Sequence, residues 1–277
     1  MHILTAGLGF KPDHFAHAMA ARRAGLWFEV HAENYMTDGG PRQRLLEALG
    51  FVHPLSLHGV SMSLAGPLPP DPEHLRRFAA LVRRVRPARV SEHLAWSRLG
   101  PRYEPDLLPF IRNTQSLLQV VEHVQRVQDA IGQPLAVENP SHYLALDGHT
   151  WEEVDFLIEL VRRSGCQLLI DVANVHLSGH NMAFDPARWL DRIPASAVVE
   201  IHLAGHSIDP NLGDALWIDS HDAPVHADTW ALYRRLVARI GPRPTLIEWD
   251  RQIPAFDRLM AESEQAHRLL ARDPAAP

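Results

Sequence analysis

Side chains that bind metal ions recur along this 277-residue sequence, each at or just after the end of a short apolar segment. Histidine is unusually abundant, with 18 residues against 4 tyrosines. Seven candidate ligands share this placement, and two more lie in the loop after the seventh segment; the seven are His58, His93, Glu138, Asp171, Asn174, His202 and Glu248, and the two are Asp219 and His221. Imidazoles and carboxylates without a thiolate suit zinc, manganese or non-haem iron. Because these groups exceed the needs of one ion, the pattern predicts two or three ions that share bridging carboxylates.

Each of these residues, taken alone, has an ordinary structural explanation. His58 fits a hydrogen-bonded histidine of the core, and Asp171 or Glu248 fits an ion pair with an arginine. Asn174 fits a helix cap or a turn. These explanations do not account for such residues at six successive segment ends, and burying that many ionisable groups without metal is strongly unfavourable. The set as a whole therefore favours a metal site.

The remaining histidines divide by their position in the chain. Those in segments of helical pattern, such as His123, are expected to be solvated. Five others are expected in loops near the proposed site: His31, His176, His180, His206 and His226. Four residues are predicted to support the ligands or to contact substrate: Glu33, His180, His206 and Asp250.

The segments that must position these residues alternate between two patterns. Nearly continuous apolar runs are typical of parallel strands covered on both faces, and they predict eight strands: Ile3–Gly9, Leu26–His31, Leu55–His58, Arg89–His93, Pro134–Glu138, Gln167–Asp171, Val198–His202 and Thr245–Glu248. Longer segments of helical period predict the helices: Asp13–Gly25, Pro41–Leu49, Asp71–Arg86, Asp106–Ile131, Thr150–Ser164, Asp185–Arg192, Thr229–Ile240 and Pro254–Ala271. The stretches Gly66–Pro72 and Gly205–His226 are predicted to be long loops.

Eight strands, each followed by a helix, is the count of a (β/α)8 TIM barrel, an α/β fold, with a doubly wound open sheet as the alternative. No linker or repeat divides the chain, so we expect one barrel domain over residues 1–277 with a disordered tail at about 273–277. In a closed barrel the C-terminal strand ends meet at one mouth. Residues as distant in sequence as His58 and Glu248 would then share one site.

Composition excludes several classes of function. A net charge of −6 leaves no basic excess for binding nucleic acid. Cys166 is the single cysteine, which excludes an internal disulfide and a cysteine-held cluster. The single lysine, Lys11, stands in no phosphate-binding loop. With no charged-then-apolar leader and no apolar stretch of membrane-spanning length, the chain is expected in the cytoplasm, without a membrane partner.

Several motifs, in order along nearly the whole chain, carry a resemblance to a known family: Gly7–Pro12, Phe28–Met36, Leu57–Val60, Ser91–Ser97, Val137–Pro140, Asp171–Val175, Ile201–His206, Ile218–His221 and Ile247–Asp250. Together they resemble the multinuclear non-haem iron-dependent oxidative enzymes. The likeness is strongest to the branch that matures bufferins and related copper-stress peptides, and weaker to the iron enzyme of methanobactin biosynthesis. One departure is Asp222, which follows Asp219-Ser220-His221 where the family commonly has Asp-Thr-His-Gly.

The resemblance implies a TIM barrel related to xylose-isomerase-like and apurinic-endonuclease-like metal barrels, holding two or three irons as Fe(II) or Fe(III). It implies three ligand sets: His58, His93 and Glu138 for one ion; Glu138 as a bridge with Asp171, His202 and Glu248 for a second; and Asn174, Asp219 and His221 for a third, weaker one.

The resemblance also implies an activity and partners. Family members use O2 as co-substrate to modify cysteines of a ribosomally synthesised precursor peptide, often with a separate protein that recognises the leader of the precursor. We therefore expect an iron-dependent oxidoreductase that acts on peptide cysteines. Two other functions fit the residues: a zinc-dependent phosphodiester hydrolase on the same barrel, and a non-catalytic, metal-stabilised peptide-binding protein.

Overall fold

A computed structural model of the protein describes residues 4–100 and 102–271. Within them, parallel strands form a closed barrel: β1 (Ala6–Gly9), β2 (Phe28–His31), β3 (Leu55–Gly59), β4 (Arg89–His93), β5 (Ala136–Glu138), β6 (Gln167–Asp171), β7 (Val198–Ala204) and β8 (Thr245–Glu248). Each strand pairs with the next one along the chain, and β8 pairs with β1, where Leu8 is in register with Ile247. The predicted TIM barrel is confirmed, and its closure excludes the open sheet.

Helices pack around the outside of the barrel. In the described residues they are α1 (Phe15–Ala20), α2 (Pro41–Val52), α3 (Pro72–Val85), α4 (Thr114–Ile131), α5 (Glu153–Ser164), α6 (Val172–Met182), α7 (Pro186–Arg192), α8 (Ala227–Ile240) and α9 (Phe256–Leu270). Local sequence sets where they begin: Asp71 caps α3 with its side chain, and Asn113 and Ser116 form a capping box at α4. Apolar residues of both layers form the core between strands and helices.

The predicted strands are confirmed to within a few residues. Three have the predicted bounds: Arg89–His93, Gln167–Asp171 and Thr245–Glu248. All three end in a ligand-type residue, so the residues that mark the candidate site also mark where these strands end.

The helix predicted over Asp106–Ile131 is wrong in its first part. Arg102–Leu108 pairs with Trp96–Leu99 in a hairpin, named here the first hairpin, and α4 begins only after the Asn113 cap. The predicted loop between β7 and α8 likewise contains a second hairpin, in which Ser207–Asp209 pairs with Gly213–Ile218.

Helix α6 is absent from the predicted helices because no break separates it from β6. Asp171 ends the strand and also caps the helix, since its side chain accepts a hydrogen bond from the Asn174 backbone N–H.

The expectation that His123 is solvated is also wrong. Its side chain is 3% exposed, and its Nδ1 lies 2.9 Å from the carbonyl oxygen of Leu64.

The tail predicted at 273–277 and the first residue of the predicted strand Ile3–Gly9 lie outside the described residues. The single domain over the whole chain stays a prediction.

In the part of the chain that the structure describes, no helix has both the length and the apolar character needed to cross a membrane.

Candidate metal centre

His58, His93 and Glu138 form a compact group of ligand-type side chains at the mouth of the barrel. Nε2 of His58 lies 3.3 Å from Nε2 of His93 and 3.4 Å from Oε2 of Glu138. The distance from His93 Nε2 to the same carboxylate oxygen is 3.6 Å. Ligand atoms about 2.1 Å from one tetrahedral ion lie about 3.4 Å from each other. The three atoms therefore have the spacing of a metal site.

Register between neighbouring strands brings this group together. His93 at the end of β4 is in register with Glu138 at the end of β5. His58 on β3 is in register with Ser91 on β4, whose hydroxyl lies 2.7 Å from Nδ1 of His58. This hydrogen bond fixes the imidazole ring and directs Nε2 toward the other two ligands, as partners of metal-binding histidines commonly do.

Glu138 also faces a second group of side chains. Its other oxygen, Oε1, lies 3.9 Å from Nδ1 of His202 on β7, and that nitrogen is 3.2 Å from Oε2 of Glu248 on β8. Asp171 at the end of β6 is in register with His202. Ligand atoms of Glu138, Asp171 and His202 all lie within 4.8 Å of one another. The carboxylate of Glu138 is thus placed where two ions could share it.

Asn174, Asp219 and His221 lie beside this second group. The backbone N–H of Asn174, in the first turn of α6, donates to Oδ1 of Asp171 at 2.7 Å. Nε2 of His221 lies 2.6 Å from Oδ1 of Asp219, and its Nδ1 lies 3.5 Å from Oε2 of Glu248. Both Asp219 and His221 follow the second hairpin. The structure therefore brings all the predicted ligands to one mouth.

Three carboxylate or amide oxygens of this centre lack a hydrogen-bond partner within the described residues: Oε2 of Glu138, Oδ2 of Asp171 and Oδ1 of Asn174. The Asn174 amide is held with its oxygen free, because its Nδ2 donates to the carbonyl oxygen of Asn139 at 3.1 Å. A buried oxygen without a partner is unfavourable, and coordination of a cation would satisfy it. Nitrogen and oxygen ligands without a thiolate suit iron(II), manganese or zinc, so the residues present fit such ions.

Burial shifts the acid–base equilibria of the first group and of Asp171 in the second group. It raises the pKa of Glu138 well above its usual range and raises the pKa of Asp171 to about 6. It lowers the pKa of His58 well below the usual value and the pKa of His93 to about 4. Both histidines are therefore neutral near pH 7, which is the form of imidazole that binds metal.

Charge outweighs burial at Glu248, His202 and His221. Burial opposes ionisation of Glu248, but His221 and His202 hold its pKa well below the usual range. Burial likewise opposes protonation of His202 and His221, but the surrounding carboxylates hold the pKa of each histidine well above the usual value. Without metal, protons on these histidines balance the carboxylates. A bound cation would take over that role.

Two buried carboxylates beneath this centre are absent from the predicted set. Nε2 of His202 lies 3.3 Å from Oε1 of Glu29 and 3.8 Å from Oε1 of Glu200. Glu29 also accepts a hydrogen bond from Ser56 at 2.8 Å, and burial raises the pKa of Glu200 to about 7. Their signal in the sequence is a spacing of two: each precedes a strand-end histidine by two residues and so faces the same side of its strand.

Two of the predicted supporting residues lie next to the centre. Glu33 accepts hydrogen bonds from the backbone N–H groups of Val60 and Ser61, both at 3.0 Å, and so holds the loop after β3. Oδ2 of Asp250 lies 3.1 Å from Nδ1 of His221, and its Oδ1 accepts a hydrogen bond from Lys11.

The other two predicted supporting residues lie in a separate cluster beside the second hairpin. His180 and His206 both stack on the ring of Trp217, with centroid distances of 3.8 and 4.4 Å.

The mouth itself opens into a cavity of about 570 Å³ whose lining includes His93, Glu138 and Arg251.

Solved structures with the same architecture define the fold class. The apo form of the 3-keto-D-glucoside 4-epimerase YcjR from E. coli is similar with a TM-score of 0.58 and 15% identity, covering 96% of this chain and 98% of that one. Endonuclease IV from Thermus thermophilus is similar with a TM-score of 0.59 and 17% identity, covering 95% and 97%. Identities this low show the fold alone. The chain therefore has the TIM-barrel fold that these two proteins also have.

Sequence comparison defines the family within that class. The family model described as "RiPP precursor modification enzyme MbnB/TglH/ChrH" matches residues 5–271; a RiPP is a ribosomally synthesised and post-translationally modified peptide. A UPF0276 protein of Caulobacter sp. (strain K31) is 54% identical over 266 residues, 96% of each chain. Another, from Paraburkholderia phytofirmans, is 46% identical and covers 96% of this chain and 87% of that one. This chain belongs to the MbnB/TglH/ChrH family of RiPP precursor modification enzymes, which confirms the resemblance seen in its motifs.

Proposed function

We propose that this protein is a multinuclear non-haem iron enzyme that uses O2 to oxidise cysteine residues of a ribosomally made precursor peptide. The observation that carries the proposal is the mouth itself, where histidines and carboxylates converge and buried oxygens of Glu138, Asp171 and Asn174 have no partner in the described chain. Membership of a family of RiPP precursor modification enzymes supports a precursor peptide as the substrate.

We assign the candidate ligands to ions by their contacts. His58, His93 and Glu138 would hold one iron, and Asp171, His202 and Glu248 would hold a second together with the shared carboxylate of Glu138. Asn174, Asp219 and His221 would hold a third. The spacing of 3.3 to 3.6 Å within the first set supports its assignment. The unpartnered Oδ1 of Asn174 supports the third set, together with Asp219 and His221, which line the same cavity.

The chain's own residues would hold the ions, orient the ligands and enclose the peptide's cysteine. Bound iron would supply Lewis acidity that favours a thiolate and the electrons that dioxygen requires. Ser91 and Asp250 fix the rings of His58 and His221 through hydrogen bonds to Nδ1. The cavity of about 570 Å³ gives room for a cysteine side chain and its neighbours in the peptide. The family resemblance further supports a separate partner protein that recognises the leader.

The cysteine that reacts belongs to the peptide and not to this chain. Cys166 stands directly before β6, at the end of that strand away from Asp171. Burial raises the pKa of its thiol to about 11, so the thiol stays protonated at neutral pH. Cys166 is therefore not available as a nucleophile for the reaction.

The test uses the purified full chain, loaded with Fe(II) without oxygen. It is mixed with a candidate precursor, a short cysteine-bearing peptide sought in the reading frames beside the gene, with and without a candidate leader-binding protein sought in the same way. On admission of O2 we expect oxygen uptake and a mass change confined to the peptide's cysteines, which a Cys→Ser peptide lacks. Iron-loaded protein that takes up no oxygen would instead indicate a binding protein. Zinc-dependent phosphodiester cleavage without uptake would indicate a hydrolase. Either result overturns the proposal.

A further inference from the structure

Three histidines from different elements meet beside the second hairpin, outside the centre described above. His176 lies on α6, His206 directly precedes the hairpin, and His226 caps α8. Their ring centroids are 5.8 Å apart for His176 and His206, 5.8 Å for His176 and His226, and 5.7 Å for His206 and His226. The three imidazoles thus form a nearly equilateral triangle, which we name the outer histidine triangle.

We propose that the outer histidine triangle binds a divalent transition-metal ion of the zinc type, separate from the ions at the mouth. Three imidazoles that share one such ion, with nitrogen–metal distances of about 2.1 Å, have ring centroids about 5 to 5.5 Å apart. The observed separations exceed that range by a few tenths of an ångström, which small side-chain rotations close.

Hydrogen bonds leave suitable nitrogens free within the described chain. Nδ1 of His176 lies 2.9 Å from the hydroxyl of Thr229, which orients the ring and leaves Nε2 for an ion. Nδ1 of His206 is buried and has no partner among the described residues. Ligand atoms of His176, His226 and Asp228 all lie within 4.8 Å of one another, so the Asp228 carboxylate offers a fourth ligand. Three imidazoles and a carboxylate complete a tetrahedral zinc site.

Aromatic packing alone explains only part of this cluster. His180 stacks on Trp217 at 3.8 Å, and its Nε2 lies 2.6 Å from the carbonyl oxygen of Asp214, so this ring is satisfied without a metal. His206 also stacks on Trp217, yet its buried Nδ1 lacks an acceptor or donor in the described chain. His180 is therefore the matched control for a histidine that packs in the cluster but does not bind an ion.

The position of the triangle gives the ion a structural role. It would join α6 and the N-terminus of α8 to the start of the second hairpin. That hairpin ends at Ile218 and leads directly into Asp219 and His221. An ion held by His206 would therefore fix the segment that presents these two residues to the mouth. Binding at the triangle does not depend on the chemistry proposed for the mouth.

The first test locates zinc directly. Crystals of the full chain are soaked in Zn²⁺, and anomalous diffraction is recorded above and below the zinc absorption edge. We expect a peak between His176, His206 and His226, in addition to any at the mouth. Absence of a peak at the triangle, with or without zinc at the mouth, would overturn the proposal.

The second test counts zinc by equilibrium dialysis of metal-free protein. We expect His226→Ala, a change at a half-exposed side chain, to bind one zinc fewer per chain than the wild type. His180→Ala is expected to bind the wild-type number. Circular dichroism confirms that each variant is folded. Equal zinc in the wild type and His226→Ala, or an equal loss in His180→Ala, would contradict ligation by the triangle.

Discussion

The candidate metal centre has a part held by strands and a part held by a loop, and the two are built differently. His58 and Glu138 end barrel strands and are each 1% exposed, within a ladder of parallel pairing. Asp219 and His221 follow the second hairpin, and their side chains are 14% and 13% exposed. His221 also has a left-handed backbone conformation, with φ of +48°, which is unfavourable for a residue with a side chain.

The difference indicates how firmly each part is positioned before metal binds. The strand-held part is fixed by neighbouring strands on both sides, whereas the loop-held part depends on a few hydrogen bonds. One is the bond from the Asp250 N–H to the His221 carbonyl oxygen at 2.9 Å, and another is the bond from the Asp219 N–H to the Tyr143 hydroxyl at 3.0 Å. We therefore expect the strand-held ions to bind more tightly, and the loop-held ion to respond to changes around it.

The largest effect is expected from Glu138→Gln. This change keeps the shape of the side chain but removes the charge that both strand-held ions would share, so we expect at least about a hundredfold loss of iron affinity and of peptide oxidation. Iron per chain after dialysis and the mass of the peptide measure the two losses. Glu122→Gln is the matched control, because Glu122 is an exposed residue of α4 paired with Arg126. Iron retained at the wild-type level in Glu138→Gln would contradict the bridging role.

Ser91→Ala is expected to have the next largest effect. It removes the hydroxyl that orients His58, and loss of such a partner weakens metal binding by about ten- to a hundredfold. Competition with a chelator of known affinity measures the change. Ser164→Ala is the control, since Ser164 lies at the end of α5 and bonds the Leu160 carbonyl oxygen. Equal metal affinity in Ser91→Ala and Ser164→Ala would mean that the His58 ring is fixed by packing alone.

Asp250→Ala applies the same change to the loop-held part. Asp250 orients the ring of His221 as Ser91 orients the ring of His58, and Oδ2 of Asp250 lies 3.1 Å from Nδ1 of His221. We therefore expect the variant to bind one ion about tenfold more weakly. The bond from the residue 250 N–H to His221 is kept in the variant. Iron titration that resolves tight and weak ions measures the effect. Weakening of the tight ions rather than the weak one would reverse the comparison.

The strand-held part could be predicted because strand ends have a plain sequence signal. The apolar run that ends at Glu138 indicates both the strand and its orientation toward the mouth, and barrel closure then brings Glu138 to the other strand-end ligands. The hydrogen bonds that orient these ligands could not be predicted. The bond from Ser91 to His58 depends on the register between β3 and β4, which the order of residues along the chain does not specify.

The ligand residues of the loop-held part could be predicted from the sequence, but the structure that holds them could not. Asp219 and His221 are conspicuous in the sequence, yet the hairpin that leads to them is not, because Gly213–Ile218 is exposed or half-buried throughout and has no alternating apolar face. The sequence marks the members of the outer histidine triangle only as histidines near the mouth, not as a group of three. Its members come from a helix, a loop and a cap, at spacings of 30 and 20 residues that correspond to no structural period.

The smallest effect is expected from Asp222→Gly, which restores the residue that the family motif commonly has. The Asp222 carboxylate accepts hydrogen bonds from Ser220 at 2.5 Å and from Gln252 at 3.2 Å, and so braces the loop beside His221. Because these bonds are partly exposed, their loss should destabilise the loop by about 1 kcal/mol and weaken the loop-held ion less than tenfold. Iron titration measures this weakening, with the exposed Asp147→Gly as the control. If Asp222→Gly instead tightens the weak ion, Asp222 strains the loop, and the positive φ of His221 is where that strain would lie.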